Sequence, residues 1–342
     1  MKIGISADPE IPVPPLTYGG IERIVGLLVD GLKERGHEIF LFSHPDSTAD
    51  CERVAWKGGS SRSVVDIAKN AATLFREHQL RRFDLIHSFS RLAYMLPILR
   101  ASVPKIMTYQ RAISRRSVSI GRSLAKGTLH FTAISQHMVK DVNVLANWHI
   151  IFNGVSLRRF EFSDDVDVDD GPLLFVGRIE EIKGVHLAID VALRTGRRLV
   201  IAGNIPEGHG RYFETKVRPH LEQPAISYVG PVTDEEKNRL YGSASAFLMP
   251  ILWDEPFGIV MPESLACGTP VIGLNRGSVP EIVRDGETGF VCDSVDDMVD
   301  AVGRLSVINR HTCRDDARSR FGADVIVGAY ESLYQSVAGP RQ

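Results

Sequence analysis

Brief apolar runs alternate with stretches of helical periodicity along most of the chain. Residues 2–7, 38–43, 83–88, 105–108, 130–134 and 149–153 are short and rich in Ile, Phe, Leu and Val, which predicts buried strands. Between the first two, Ile24, Val25, Leu27, Leu28 and Leu32 recur at helical spacing over 22–33, and Arg35-Gly36-His37 ends the run. Helices are also predicted over 64–78, 92–100 and 136–143. Strands alternating with helices predict a parallel sheet, and this first unit is complete near Phe160. The pattern then resumes, with strands over 173–176, 198–203, 226–230, 246–250 and 270–273. Helices are predicted over 185–194, 258–266 and 293–305, with a last one over 323–337. Thr233, followed by Asp234, Glu235 and Glu236, is a helix N-cap with acids in its first turn. Between the halves, 161–172 (EFSDDVDVDDGP) is acidic, poor in large apolar groups and ends in Gly-Pro, which marks a linker.

Composition narrows the picture only slightly. With 342 residues two domains are expected, and 44% hydrophobic against 24% charged residues is ordinary for a globular protein. A formal charge of −2 gives no overall nucleic-acid footprint. Cys51, Cys267, Cys292 and Cys313 lack any C-x-x-C spacing, so neither a zinc site nor a disulfide framework is indicated and reduced thiols fit best. The opening MKIGISADPEIP has no long apolar run, and no stretch reaches the ~18 apolar residues of a spanning helix. A cytoplasmic location is expected, with peripheral membrane contact left open.

Chemistry concentrates in the second half. Glu255 and Glu263 bracket a Gly/Pro-rich entry (EPFGIVMPESLACGTPVI) into the helix over 258–266, where Pro262 fits only near the first turn and Gly268 ends the helix. Free backbone N–H groups at Phe257–Val260 would suit a phosphate. Two acids beside an anion site make sense if they accept hydrogen bonds from hydroxyls, so a nucleotide sugar reconciles them. Arg178 and Lys183, at the end of the 173–176 strand, can together neutralise a diphosphate. In the first half, Gly19-Gly20 at a helix start is either a phosphate cradle or a tight turn. It is not the G-x-G-x-x-G fingerprint, which counts against a dehydrogenase. His87, ending an apolar run, reads as a packed core histidine. Lys105, Arg111, Arg115, Arg116, Arg122, Lys126 and Lys140 form a basic stretch with no acid among them, which would meet an anionic acceptor or an anionic membrane surface.

The paired glutamates with seven residues between them, together with YGGIERIV, FNGV and FVGRIEEIKG in the same order, resemble the retaining glycosyltransferases of family 4. The resemblance covers nearly the whole chain. It implies the GT-B architecture: an α/β fold of two Rossmann-like domains with parallel sheets facing across a cleft. The domains would be 1–160, on the acceptor side and joined by a returning C-terminal helix over about 323–342, and 173–322, which binds the nucleotide sugar. It further implies that Glu263 accepts the ribose hydroxyls, Arg178 and Lys183 the diphosphate, and Glu255 a sugar hydroxyl. Phe257, Gly258 and Ile259 would give backbone donors, the main chain near Val232 would meet the base with Asn204 close by, and Gly19 and Gly20 would face the donor. Glu255, Arg178 and Lys183 would be catalytic. The donor is expected to be a UDP-sugar, with no cofactor and no metal required. Gln110 departs from the family, in which many relatives carry a histidine beside the donor sugar, and glutamine cannot carry protons near neutral pH. Other readings consistent with the sequence are a sugar-nucleotide epimerase of the same fold and a non-catalytic donor-binding subunit.

Overall fold

The computed structural model describes residues 1–15 and 19–339; Tyr18 of the YGGIERIV stretch lies outside them. Two compact units divide the chain, Met1–Gly154 with Ala323–Gln342, and Val155–Gly322. Each is built on one parallel sheet.

In the first unit the strands are β1 (Lys2–Ser6), β2 (Glu38–Ser43), β3 (Glu52–Ala55), β4 (Leu85–Ser88), β5 (Lys105–Tyr109), β6 (Leu129–Ala133) and β7 (Trp148–Ile150). Their spatial order is β3-β2-β1-β4-β5-β6-β7. Chain order reverses between β1 and β4, the kind of switch point that leaves a ligand crevice at the strands' carboxyl ends. In the second unit β8 (Leu173–Val176), β9 (Leu199–Ala202), β10 (Ile226–Gly230), β11 (Ala246–Met249), β12 (Val271–Leu274) and β13 (Gly289–Cys292) take the order β10-β9-β8-β11-β12-β13, with the switch between β8 and β11. The central strands are buried on both faces, which is why they appear in the sequence as unbroken apolar runs.

Several elements differ from the sequence expectation. β3 is an edge strand with mostly exposed residues, so it carries no apolar signature. Residues Leu92–Ile98 form a 3-10 helix rather than an α-helix, with Pro97 inside it. Arg115–Ala125 is helical although its buried face is only Val118, Gly121 and Ala125. Arg310–Phe321 is a further helix, dominated by charge. The acidic stretch 161–172 is no free tether. Ser163 N donates to Cys267 O, and Arg197 Nη2 donates to the carbonyls of Val168 and Gly171 at 2.8 and 2.7 Å, so the stretch is strapped to the second unit.

The helix Ala323–Ala338 packs within the first unit. Glu331 accepts from Arg35 at 2.7 Å and contacts His37 Nε2 at 2.9 Å. Val327 fills the space beside Gly31, where a Cβ would meet it at 2.5 Å. Deeper in, His87 is fully buried, with Nδ1 2.6 Å from Tyr334 Oη and Nε2 2.6 Å from Thr108 Oγ1. It is thus the hydrogen-bonded core histidine that its sequence context suggests.

Burial holds the His87 pKa down to about 3, far below its ordinary 6.5. The folded state therefore leaves it neutral, while the unfolded chain binds a proton below about pH 6.5. Stability from this group is present above that pH and falls as pH drops from 6.5 toward 3, by about 1.4 kcal/mol per pH unit. Calorimetry between pH 7 and 4 is expected to show a steep loss of Tm in the wild type and a shallower one in His87→Gln. Equal slopes would show that His87 does not titrate in this way.

Candidate functional site

The carboxyl ends of β8 and β11 lie side by side, and the loops after them approach backbone to backbone. The 3-10 turn Glu181–Lys183 ends on Gly184, whose φ of 74° lies in the left-handed region. A Cβ there would fall 1.9 Å from Pro250 O. With glycine the loops close, and Leu252 N donates to Ile182 O at 2.9 Å. That approach lays Lys183 against Glu255, with Nζ and Oε2 2.5 Å apart. Trp253 Nε1 donates to the same carboxylate oxygen at 3.0 Å, and the Lys183 ammonium lies 5.1 Å from the Trp253 ring centre.

From the other side the Glu255 segment is held by the turn after β12. Gly277, at φ 58°, would place a Cβ 2.3 Å from Glu255 N. Ser278 N donates to Glu255 O at 3.0 Å and Ser278 Oγ to Phe257 O at 2.8 Å. The Phe257 ring is buried and packs edge-on against Phe321, so Phe257 can meet a ligand only through its main chain. Gly258, with φ 71°, and Ile259, the N-cap, lead into the helix Val260–Ala266, which starts two residues later than the sequence pattern suggests. Within its first turn Met261 N and Glu263 N donate to Gly258 O and Ile259 O at 3.0 and 3.1 Å and Pro262 has no N–H, so the donors placed to meet a ligand are those of the entry itself, Gly258–Val260.

Arg178 leaves the end of β8 half-exposed, 2.7 Å from Glu180 Oε1. Asn204 follows β9 with an exposed side chain, and its carbonyl accepts from Ile179 N at 2.9 Å. Val232 follows β10, just ahead of the Thr233–Glu236 capping box that opens the helix Asp234–Ser243. Glu263 is 1% exposed, and both its oxygens accept from Lys237 Nζ at 2.9 Å. The surroundings are strongly desolvated. Burial first, and the Glu263 charge second, push the neighbouring Cys267 thiol up to about 12 and the Tyr241 phenol well above its usual range. Lys237, Trp253 and Ser278 escaped the sequence reading. Lys237 is one turn beyond a cap that reads as a folding signal, and its partner, like that of Ser278, is set by tertiary approach, whereas Trp253 bonds Glu255 two residues on.

The second unit thus gathers Arg178, Lys183, Asn204, Val232, Glu255, Phe257, Gly258, Ile259 and Glu263 along the ends of four adjacent strands and the loops that follow them. Three cations are each matched to a carboxylate: Arg178 to Glu180, Lys183 to Glu255 and Lys237 to Glu263. The Arg178 and Lys183 pairs of such an edge can be traded for a phosphorylated, hydroxylated ligand at little net charge. Among the described residues no group of three or more His, Cys, Asp or Glu stands where it could hold a metal.

Gly19 and Gly20 belong to the first unit, where Gly19 caps the helix Gly20–Glu34 and a Cβ on Gly20 would face open space. The carboxyl edge of that sheet has a different chemistry. Asp8 is buried and accepts from Arg111 at 3.0 Å, and burial raises the pKa of Asp8 and of Glu22. Gln110 and Asn153 exchange amide hydrogen bonds of 2.7 and 2.9 Å. The basic stretch needs correcting here. Lys105 is fully buried, with Nζ donating to Ala101 O and Val103 O at 2.7 Å, and Arg111 is matched by Asp8. Exposed cations remain at Arg115, Arg116, Arg122, Lys126 and Lys140. No helix among the described residues is long and apolar enough to cross a membrane.

Two family models match, Glycosyl transferases group 1 over residues 159–319 and Glycosyltransferase Family 4 over 18–159. Spore coat protein SA of Bacillus subtilis is 22% identical, covering 98% of this chain and 99% of its own. AviGT4, a glycosyltransferase involved in avilamycin A biosynthesis, superimposes with a TM-score of 0.77 at 26% identity, over 99% of this chain and 98% of its own. HepE of Anabaena, solved with UDP and glucose, gives 0.76 at 16% identity over 98% and 100%.

Gly184→Ala and Gly196→Ala separate conformation from contact. Both glycines are left-handed, but a Cβ at Gly196 meets nothing within 4 Å. Gly196→Ala is expected to cost about 1–2 kcal/mol and Gly184→Ala clearly more, read as urea-midpoint shifts; equal losses would refute the backbone contact as the constraint.

Proposed function

Since the chain belongs to glycosyltransferase family 4, the glycosyl transferases group 1, and has the GT-B fold, we propose that it moves a sugar from a UDP-sugar to an acceptor hydroxyl, with retention of configuration and without a metal. The observation that carries this reading is the Lys183–Glu255 pair at the β8/β11 switch point, with Arg178 beside it and a helix entry next to it. Arg178 and Lys183 supply the two positive charges that a diphosphate needs. The amides around Gly258 and Ile259 add neutral donors. Glu255, released from Lys183, holds a sugar hydroxyl, and Glu263 holds the ribose. HepE, solved with UDP and glucose, supports UDP as the nucleotide. The exposed cations over 115–140 support an anionic acceptor, free or at a membrane surface.

In the reaction the anomeric carbon–oxygen bond to the diphosphate breaks and the bond to the acceptor oxygen forms on the same face. The departing phosphate oxygen takes the acceptor's proton, while Arg178 and Lys183 stabilise the charge growing on the diphosphate. No carboxylate pair of the glycosidase kind is invoked. Because Gln110 is tied to Asn153 and carries no proton, the mechanism assigns it none.

Lys183→Ala is expected to lower kcat at saturating donor by about a hundredfold or more, measured as hydrolysis or transfer from UDP-sugars. Wild-type turnover in that variant would sink the assignment. Glu255→Gln makes the opposite kind of test. Without its carboxylate partner Lys183 is free for phosphate, so the variant should bind UDP more tightly and the UDP-sugar less tightly than wild type. Calorimetric titration with both ligands reads this inversion, and parallel losses for both would contradict the exchange.

A further inference from the structure

Glu263 poses a problem that the proposed donor site does not solve by itself. A carboxylate with 1% of its surface exposed has lost its water and must find its hydrogen-bond partners within the protein. The structure supplies one compensating charge. Lys237 Nζ lies 2.9 Å from both Glu263 oxygens, and its side chain is itself largely buried, 3.3 Å from Asp234 Oδ1 and 5.3 Å from the Phe160 ring centre. Tyr241 Oη stands 3.5 Å from Glu263 Oε2. Centred between the two oxygens, the ammonium fixes the plane of the carboxylate; Tyr241 Oη donates to Oε2 as well, so among the described residues the second lone-pair direction that stays open is on Oε1.

The placement of Lys237 in the chain matters as much as its charge. It lies one turn into the helix Asp234–Ser243, whose start is fixed by the reciprocal Thr233–Glu236 capping box immediately after Val232. The loop after β10 and the acid on the helix after β11 are therefore joined through one side chain. A compact ammonium suits the role, since one nitrogen can sit between two oxygens where a planar guanidinium would demand a wider pocket.

We propose that Lys237 is a positioning residue of the donor site, holding the Glu263 carboxylate oriented to accept from a ribose hydroxyl and registering that acid to the base-side loop. This rests on the reading of Glu263 as the ribose acceptor. Lys237 itself touches neither sugar nor phosphate.

Discrimination between UDP and 2′-deoxy-UDP tests it, with inorganic pyrophosphate as the probe of the cations alone. A hydroxyl bonded to an ionised acceptor corresponds to about tenfold or more in Kd, so the wild type should prefer UDP by that factor. Lys237→Met is expected to bring the two affinities within about twofold of each other while pyrophosphate binding stays, and Lys237→Arg to recover part of the preference. Lys237→Gln, which keeps a neutral donor in the pocket, replaces the methionine variant if that one does not fold. A residue that served folding alone would weaken UDP, 2′-deoxy-UDP and pyrophosphate together, and that result overturns the proposal. Preference surviving in the Lys237 variants but lost in Glu263→Gln overturns the role of Lys237 and spares that of Glu263. Preference surviving in Glu263→Gln, or absent from the wild type, removes the ribose reading and this inference with it.

Discussion

Lys183 and Glu255 can neutralise each other only because two loops from opposite sides of a topological switch touch backbone to backbone. Sequence separation alone would leave the residues 72 positions apart. The parallel pairing of β8 with β11 brings the loop origins together, and Gly184 removes the one atom that would hold them apart. Gly277 then clamps the Glu255 backbone from the side of β12. The site is therefore a property of the sheet edge. Its side chains are aimed chiefly by main-chain contacts, with Ser278 Oγ adding a bond to Phe257 O.

The two sheets share a plan but present different chemistry at their switch points. In the second unit the edge offers Arg178, Lys183 and a helix entry, the equipment for phosphate. In the first unit the corresponding edge carries buried carboxylates at Asp8 and Glu22 and the interlocked amides of Gln110 and Asn153. Buried carboxylates repel a diphosphate and suit hydroxyls. The architecture alone would allow a nucleotide at either edge; the cations Arg178 and Lys183 are what favours the second in the reading proposed above.

How far the sequence reveals this depends on whether a feature is local. β1, β2, β4, β5, β8 and β11 lie inside their sheets and are legible as apolar runs. β3 lies at an edge with mostly exposed residues, and β13, although largely buried, is a four-residue GFVC segment opened by a glycine and too short to stand out. Arg115–Ala125 escaped notice because a small buried face of Val118, Gly121 and Ala125 is outweighed by arginines and serines. At the site, Glu255 and Glu263 were visible from their spacing, and Arg178 and Lys183 from their place after a strand. The burial of Lys105 was not visible, because two carbonyls at the end of the preceding loop satisfy an ammonium that composition counts as surface charge. Lys237 was hidden for a related reason: a lysine in a polar helix is ordinary until the fold closes a buried acid over it.

The three ion pairs differ in how readily they can be exchanged, and burial sets the order. Arg178 keeps 35% of its side chain exposed, Lys183 17% and Lys237 13%, while their acids keep 6%, 12% and 1%. An exposed pair contributes about 0–1 kcal/mol, whereas stranding one member of a buried pair costs about 3–5 kcal/mol. Arg178 is the most exposed of the three cations, but Glu180 is itself largely buried, so turning Arg178 to a phosphate leaves that acid to the His209 imidazole 3.7 Å away. Lys183 can make such a turn when the phosphate replaces Glu255 and the sugar in turn occupies Glu255, so that neither partner is left bare. Lys237 has no such replacement, because a ribose brings hydroxyls and no charge. On the proposed reading, the same arithmetic that would make the Lys183–Glu255 pair a gate for a donor makes the Lys237–Glu263 pair a fixture around which a ligand is accommodated.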